Sequence, residues 1–224
     1  MEKQASTELP VEYDVTYISE GVARITANHE ESLLSKYEIV PAETESVEFD
    51  AATEAGGTRH STKEQSLLLN NETGSFSLYS NRIGSSSALT GVYSAGSAGG
   101  FDLKIQLDSD DRIFGLGDVT RDRIEKTGFR SAIWVRNVAS YVPVPVLLSF
   151  RGWGIFLNTS YKIFFDIGYR DERVLHVWGP KGPADLFLFT GADPAELLKR
   201  LTAITGRPKL LPEYAYGLTF VSNQ

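Results

Sequence analysis

Short runs in which apolar and polar residues alternate are the feature that most constrains the fold of this chain. Leu103, Ile105 and Leu107 alternate with polar residues, which places the three apolar side chains on one face of an extended strand. Residues 11–17 alternate in the same way, and residues 22–26 follow after a turn at Glu20-Gly21, so a hairpin is predicted. The pattern indicates strands that have one buried and one solvated face.

Further along the chain, more apolar runs predict additional strands. They are rich in aromatic and β-branched residues, and Gly, Asn, Asp or Pro separates them. They comprise residues 144–150, 154–157, 163–166, 174–178 and 185–189. Many short strands at regular spacing indicate a mainly β fold of the sandwich type.

Two segments interrupt the strand pattern. Residues 43–54 are acidic and precede Gly56-Gly57, and residues 84–100 are rich in Gly, Ser and Ala. Both compositions predict long loops or mobile hairpin tips. For the second segment, a tolerated insertion is favoured over a ligand-binding lid, because closing a longer loop costs little free energy.

One helix is predicted near the carboxyl end. Asp193 can cap its first turn with Pro194 at the first position and Glu196 as a capping-box partner, and Gly206 with Pro208 marks its end. Its apolar stripe consists of Leu197, Leu198, Leu201 and Ile204. An isolated helix of this length is marginal in water, so the stripe must pack against another body, for which the natural candidate is a following domain.

Composition excludes several classes of partner and cofactor. The chain has 224 residues, a net charge of -7 and a pI near 5.1, which argues against nucleic acid as a partner. It has no cysteine and only three histidines, so disulfides and thiolate sites are excluded and neither a metal nor an organic cofactor is expected. The polar start and the lack of a long apolar run predict a cytoplasmic protein that does not enter a membrane.

The order of several local motifs resembles the amino-terminal region of glycoside hydrolase family 31, the α-glucosidase and α-xylosidase family. Each motif is weak alone, but together they cover nearly the whole chain in the family's order. They are Phe114-Gly-Leu-Gly-Asp118, Trp134 to Asn137 with Tyr141, Pro145 to Ser149, Gly152 to Asn158, Asp185 to Phe189, Asp193-Pro-Ala-Glu196, Leu201 to Pro208, and Pro212 to Gly217.

The resemblance implies a galactose mutarotase-like β-sandwich, which in this family packs on a (β/α)8 barrel. Residues 1–190 would be the sandwich, 191–214 a linking helix and connector, and 215–224 the first, buried strand of a barrel that lies beyond this chain. The family is a retaining one, and its aspartate nucleophile and aspartate acid/base both come from barrel loops. No catalytic residue is therefore assigned here, and local roles are expected for Asp118, Asp122, Asp166, Asp185 and Asp193.

The resemblance also points to three substrate-binding candidates, because in relatives a sandwich loop reaches the barrel mouth. Asn137 stands where the family commonly has an aspartate, and an amide would keep hydrogen bonds to sugar hydroxyls but change their polarity; alternatively, Asn137 satisfies a turn before Tyr141. Arg136 would pair with a barrel carboxylate or reach a substrate oxygen. Trp134 could stack on a sugar face, although large aromatic residues usually lie in the core, and Trp134 is expected mostly there.

Two alternatives to a domain of an α-glycosidase remain open at this point. One is a free-standing carbohydrate-binding sandwich, which would need an exposed aromatic platform, whereas Trp153, Phe156, Phe164 and Phe165 are patterned like core residues. The other is a subunit-interaction domain that recruits a partner chain through an exposed patch. The expected partners are an α-glycoside and a catalytic barrel or partner chain, and the sequence leaves open whether a homo-oligomer forms.

Overall fold

Two antiparallel β-sheets make up most of the fold. The computed structural model describes residues 10–27, 39–40, 46–82, 87–96, 99–119, 123–134, 142–182 and 184–217. The first sheet has six strands in the order β1-β2-β15-β12-β11-β9. Its strands are β1 Tyr13–Ser19, β2 Val22–Ala27, β9 Ile113–Asp118, β11 Val142–Ser149, β12 Trp153–Leu157 and β15 Ala184–Thr190.

The second sheet has nine strands in the order β10-β13-β14-β8-β7-β6-β5-β4-β3. Its strands are β3 Asp50–Glu54, β4 Gly57–Ser61, β5 Gln65–Asn70, β6 Ser75–Ser80, β7 Ser87–Ala95, β8 Phe101–Gln106, β10 Phe129–Ile133, β13 Ile163–Ile167 and β14 Val174–Gly179. Buried side chains from the facing surfaces of both sheets form one core cluster. The predicted β-sandwich is therefore confirmed.

Individual strand predictions agree closely with the structure. The hairpin β1–β2 turns at Glu20-Gly21, as expected. In β8, Leu103 and Ile105 are buried in the core while Lys104 is exposed, which is the predicted alternation between two faces. This agreement follows because a period of two is a local property of the chain.

Of the two segments predicted as long loops or mobile hairpin tips, the first forms an exposed hairpin, which was one of these options, whereas the second contains an interior strand. Within the acidic segment, β3 is fully exposed and forms a hairpin with β4 around Ala55-Gly56. Within the Gly/Ser/Ala-rich segment, β7 pairs with β6 and β8 in the interior of the nine-stranded sheet. Small residues are needed there, because a Cβ on Gly91 would lie 2.7 Å from the ring of Phe76. The prediction for the second segment failed because sparse large side chains were equated with a lack of pairing.

The predicted helix is present as α1, Pro194–Thr205. The Asp193 side chain accepts a hydrogen bond from the Glu196 backbone N–H at 2.8 Å, and Gly206 ends the helix with φ 84°. The Glu196 carboxylate in turn accepts from the Ala192 backbone N–H, one residue before the usual capping-box donor. The capping residues therefore predicted the first and last residues of this helix correctly.

The surface that α1 covers was predicted wrongly. Its stripe packs on the outer face of the six-stranded sheet rather than against a following domain, and Leu198 is 48% exposed. The reason is that β2, β12 and β15 are buried along their whole length, so this sheet needs cover on both faces. The buried contacts join Leu197 and Ile204 to Val22, Val40, Val146, Phe156, Phe187 and Phe189.

The strand predicted to begin at Ala215 does not begin there. Residues Glu213–Tyr216 form a single 3₁₀ turn with no buried residue, and residues 218–224 lie outside the described residues. Four large apolar side chains around this turn are exposed, namely Leu210, Leu211, Tyr214 and Tyr216. The segment after α1 therefore presents apolar surface to its surroundings.

Candidate carbohydrate-binding site

A pocket of about 370 Å³ lies beside Trp134, one of the three substrate-binding candidates from the sequence. Trp134 directly follows β10, and residues 135–141 connect it to β11. Its side chain is 47% exposed, so the prediction that it lies mostly in the core is wrong. Because β10 is an edge strand and Ile133 points into the core, the next residue points outwards.

The pocket has an amphipathic lining. Apolar side chains and hydroxyl-bearing side chains meet in it, and none of the lining residues carries a charge; they are Ile39, Ile133, Trp134, Pro143, Pro145, Thr159, Ser160 and Tyr161. Aromatic rings that pack on apolar faces, together with hydroxyl groups that donate and accept hydrogen bonds, suit a neutral sugar. The volume lies near the lower end of small-ligand pockets, about 300 to 1,000 Å³.

Tyr161 is a pocket residue that the sequence analysis did not identify. Its backbone N–H donates to the Thr159 hydroxyl at 3.2 Å, and its ring packs over Gly182, where a Cβ would lie 2.3 Å from the ring. Gly182 also has φ 91°, a conformation that favours glycine. The available sequence signal was the run of hydroxyl-bearing residues that immediately follows the apolar strand β12.

A β-bulge shapes the opposite rim of the pocket. Gly115, Leu116 and Gly117 have φ values of 133°, 64° and 68°, and the register of β9 with β11 shifts between Val144 and Leu147. A Cβ on either glycine would lie within 2.1 Å of a β11 carbonyl oxygen, so the two strands can pair this closely only at glycine. The Gly-Leu-Gly motif therefore sets the course of β11, which carries Pro143 and Pro145, rather than forming a tight turn.

Ile39 forms another wall of the pocket, and a buried polar network holds it together with Val40. Ile39 and Val40 donate backbone hydrogen bonds to the Asn158 side chain, which also contacts Asp185. Asp185 is 1% exposed and forms a two-point ion pair with Arg24. This carboxylate lies inside the structure, as part of β15, rather than at the edge of a strand.

The other predicted residues fall in different places. Asn137 and Arg136 lie outside the described residues, as does Asp122. Asp118 ends β9, and Asp193 caps α1. The Asp166 carboxylate accepts from the backbone N–H groups of Tyr169 and Arg170 and pairs with Arg130 at 3.2 Å, which closes the turn after β13.

The two antiparallel sheets define a β-sandwich domain that carries an uncharged pocket beside Trp134. The sequence matches the glycosyl hydrolase 31 N-terminal galactose mutarotase-like domain over residues 12–166. The chain belongs to this family. Among the described residues, no helix is both long and apolar enough to span a membrane.

Similar proteins support the same family. An α-xylosidase of Emericella nidulans is 28% identical over 120 residues, which is 51% of this chain and 15% of that protein. An α-glucosidase of Saccharolobus solfataricus is 29% identical over 80 residues, 34% of this chain and 12% of that protein. The chain therefore spans only a small part of the length of these curated relatives.

Solved structures show the same fold at low sequence identity. A family 31 dextranase of Flavobacterium johnsoniae, complexed with isomaltotriose, aligns with a TM-score of 0.77 at 16% identity, over 94% of this chain and 30% of that one. A family 31 α-xylosidase from a soil metagenome, complexed with xylose, aligns with a TM-score of 0.76 at 19% identity, over 94% of this chain and 34% of that one.

Proposed function

We propose that this chain is the amino-terminal domain of a retaining α-glycosidase that acts on α-linked xylosides or glucosides. The observation that carries the proposal is the family match over residues 12–166. Relatives named α-xylosidase and α-glucosidase supply the substrate class. In this proposal the two catalytic aspartates belong to a following barrel, about 5 to 5.5 Å apart, and the chain itself performs no bond cleavage.

The proposed division of the protein follows from this role. Residues 1–190 form the sandwich, 191–214 the linking helix and connector, and 215–224 lead into the barrel. The exposed apolar residues Leu210, Leu211, Tyr214 and Tyr216 support it, because clustered apolar side chains are usually covered by another surface. The contribution to the substrate cleft would come from Trp134, which lines the same pocket as Tyr161, together with Arg136 and Asn137.

The comparisons favour neither alternative function. Trp153, Phe156 and Phe165 are buried, as expected, and Phe164 instead stacks on Trp178 at the outer face of the nine-stranded sheet, with ring centroids 5.1 Å apart. His176 also stacks on Trp178, so these three rings pack against one another on the surface of the sheet. The helix α1 is compatible with a free-standing module as well, because it covers the sandwich itself.

The proposal is tested by assaying this chain and the longer gene product on p-nitrophenyl α-D-xyloside and α-D-glucoside. We expect turnover with retention of configuration from the longer protein and none from the 224-residue chain. In the longer protein, Trp134→Ala should raise KM more than it lowers kcat, and Trp178→Ala serves as the control. Turnover by the 224-residue chain would reject the assignment of the chemistry to a barrel.

A further inference from the structure

We infer that Asn158 is a positioning residue that holds Ile39 and Val40 in place, so that Ile39 forms a wall of the Trp134 pocket. The functional significance of this inference rests on the proposed function, because it requires that the pocket binds a sugar. The positioning itself rests on hydrogen bonds between described residues. According to this inference, Asn158, Asp185 and Arg24 together connect the six-stranded sheet to the pocket wall.

The Asn158 side chain uses its full hydrogen-bonding capacity. Its Oδ1 accepts from the backbone N–H groups of Ile39 and Val40, both at 2.8 Å. Its Nδ2 donates to the Val40 carbonyl at 3.1 Å and to Asp185 Oδ2 at 2.7 Å. An amide offers two donor hydrogens and two acceptor positions, and all four are used here. No other side chain of this size offers two donor hydrogens together with two acceptor positions.

The anchor behind Asn158 is an ion pair between two neighbouring strands. Arg24 of β2 donates from Nε to Asp185 Oδ1 at 2.9 Å and from Nη2 to Oδ2 at 2.6 Å. The Arg24 guanidinium also lies over the Phe187 ring, 5.3 Å from its centroid. Two-point contacts of this kind fix the orientation of both partners, so the carboxylate presents Oδ2 to Asn158 in one position.

The two residues held by Asn158 serve different surfaces. Val40 packs under α1 with Phe156 and Ile204, while Ile39 lines the pocket with Trp134. Because one amide binds both backbone N–H groups, it sets which of the two side chains faces the core and which faces the pocket. A substitution at Asn158 should therefore change the environment of Trp134, although Asn158 follows a strand of the six-stranded sheet and Trp134 follows a strand of the nine-stranded sheet.

The test replaces one atom of the amide. Asn158→Asp keeps the shape and both acceptors but removes the donor, and it places a second carboxylate beside Asp185. Among the described residues, the ionisable groups facing the new carboxyl are Asp185 and Arg24. At pH 7 we expect the protection of the Ile39 and Val40 amides against hydrogen exchange to fall about tenfold. The Trp134 indole N–H resonance should shift in the same variant.

Lowering the pH should reverse both effects. Two adjacent carboxylates share a proton readily, and the protonated acid can again donate to Asp185 while accepting from the two backbone amides. We therefore expect the protection and the Trp134 resonance of Asn158→Asp to move towards wild-type values between about pH 7 and pH 5. A role limited to general stability would instead change the protection of all core amides together, rather than that of Ile39 and Val40 alone.

Gln65→Glu provides the matched control. Gln65 is another fully buried amide, which donates to the Leu188 carbonyl and accepts from Thr190 at the opposite end of β15. This variant should lose stability without changing the Ile39 and Val40 amides or the Trp134 resonance. If Asn158→Asp leaves the two amides protected, or exposes them without shifting Trp134, the inference is wrong.

A sugar titration separates this inference from the proposed function. Methyl α-D-xyloside and methyl α-D-glucoside are added to the wild-type chain while the Trp134 resonance is followed. A response that weakens at least threefold in Asn158→Asp at pH 7 supports both proposals. If the wild-type resonance does not respond, the pocket's role in carbohydrate binding is rejected, while the exchange and pH measurements still decide the positioning role.

Discussion

At the scale of single residues, burial decides how much a charged group contributes to the stability of the fold. Arg24 and Arg59 make similar two-point contacts, with Asp185 and Glu54 respectively, and each guanidinium lies over an aromatic ring. The Arg24 pair is almost completely buried, whereas the Arg59 pair lies at the exposed β3–β4 hairpin. Removing one partner of a buried pair leaves an uncompensated charge in a poorly solvated place.

Arg24→Met should therefore destabilise the chain by about 3 to 5 kcal/mol, and Arg59→Met should change its stability little. Methionine keeps much of the aliphatic length of arginine, so the comparison isolates the charge. The measurement is the free energy of unfolding in urea at pH 7. If the two variants lost the same free energy of unfolding, burial would not make the Arg24 pair more important for stability than the Arg59 pair.

Residue-scale roles were only partly predictable from the sequence. The cap at Asp193 was readable, because its partner lies three residues away. The role of Asn158 was not readable, because its partners Ile39 and Val40 are 119 and 118 residues distant. Trp134 stays a predicted substrate-binding residue, and its exposure depended on the edge position of β10, which only the assembled sheet determines.

At the scale of elements, α1 shows how a helix is tied to a sheet by its polar side as well as its apolar one. Arg200 of α1 contacts Glu64 at 2.6 Å and Glu196 at 2.7 Å, and Arg82 also pairs with Glu196. A Cβ on Gly21 would overlap the Arg200 guanidinium, so a larger residue in the turn between β1 and β2 would displace that side chain. These contacts join the helix to the turns of both sheets.

Glu196 should make this attachment sensitive to acid. The hydrogen bond from the Ala192 backbone N–H, followed by that from Arg200, lowers the pKa of the Glu196 carboxyl to about 2. A lowered pKa in the folded state means that the stabilisation is fully present above about pH 4.5 and is lost as the pH falls towards about 2.

The test compares urea unfolding of wild type and Glu196→Gln across this range. We expect the wild type to be the more stable at pH 7 and the difference between the two to shrink steadily from about pH 4.5 to pH 2. Glutamine retains an acceptor for the Ala192 N–H, so the variant tests the charge rather than the cap. A difference that does not depend on pH would contradict this account.

At the scale of the whole molecule, the two sheets enclose a buried core, whereas the segment after α1 exposes apolar side chains. The exposed side chains of Leu210 and Leu211 lie beyond α1, where the proposed barrel would follow. Replacing both with serine should leave the thermal midpoint of this chain unchanged, because the side chains make no buried contact in it. In the longer gene product, the same double variant should lower the midpoint by uncovering barrel surface.

Val92→Thr is the control for that comparison. Val92 is also an exposed apolar residue, on the outer face of the nine-stranded sheet, and threonine keeps its branched shape. The control should behave like wild type in both the short and the long protein. If the leucine variant also behaves like wild type in the longer protein, the segment after α1 does not contact a following domain.

The sequence by itself determined the strand-rich character, most strand positions, the limits of α1 and the family to which the chain belongs. These properties depend on periodicity, capping and turn residues that act over a few neighbouring positions. The tertiary structure decided that β3 and β7 are strands, that α1 covers the outer face of the six-stranded sheet, and that Asn158 holds residues 39–40. These outcomes depend on pairing and burial between segments far apart in the chain, which no local pattern specifies.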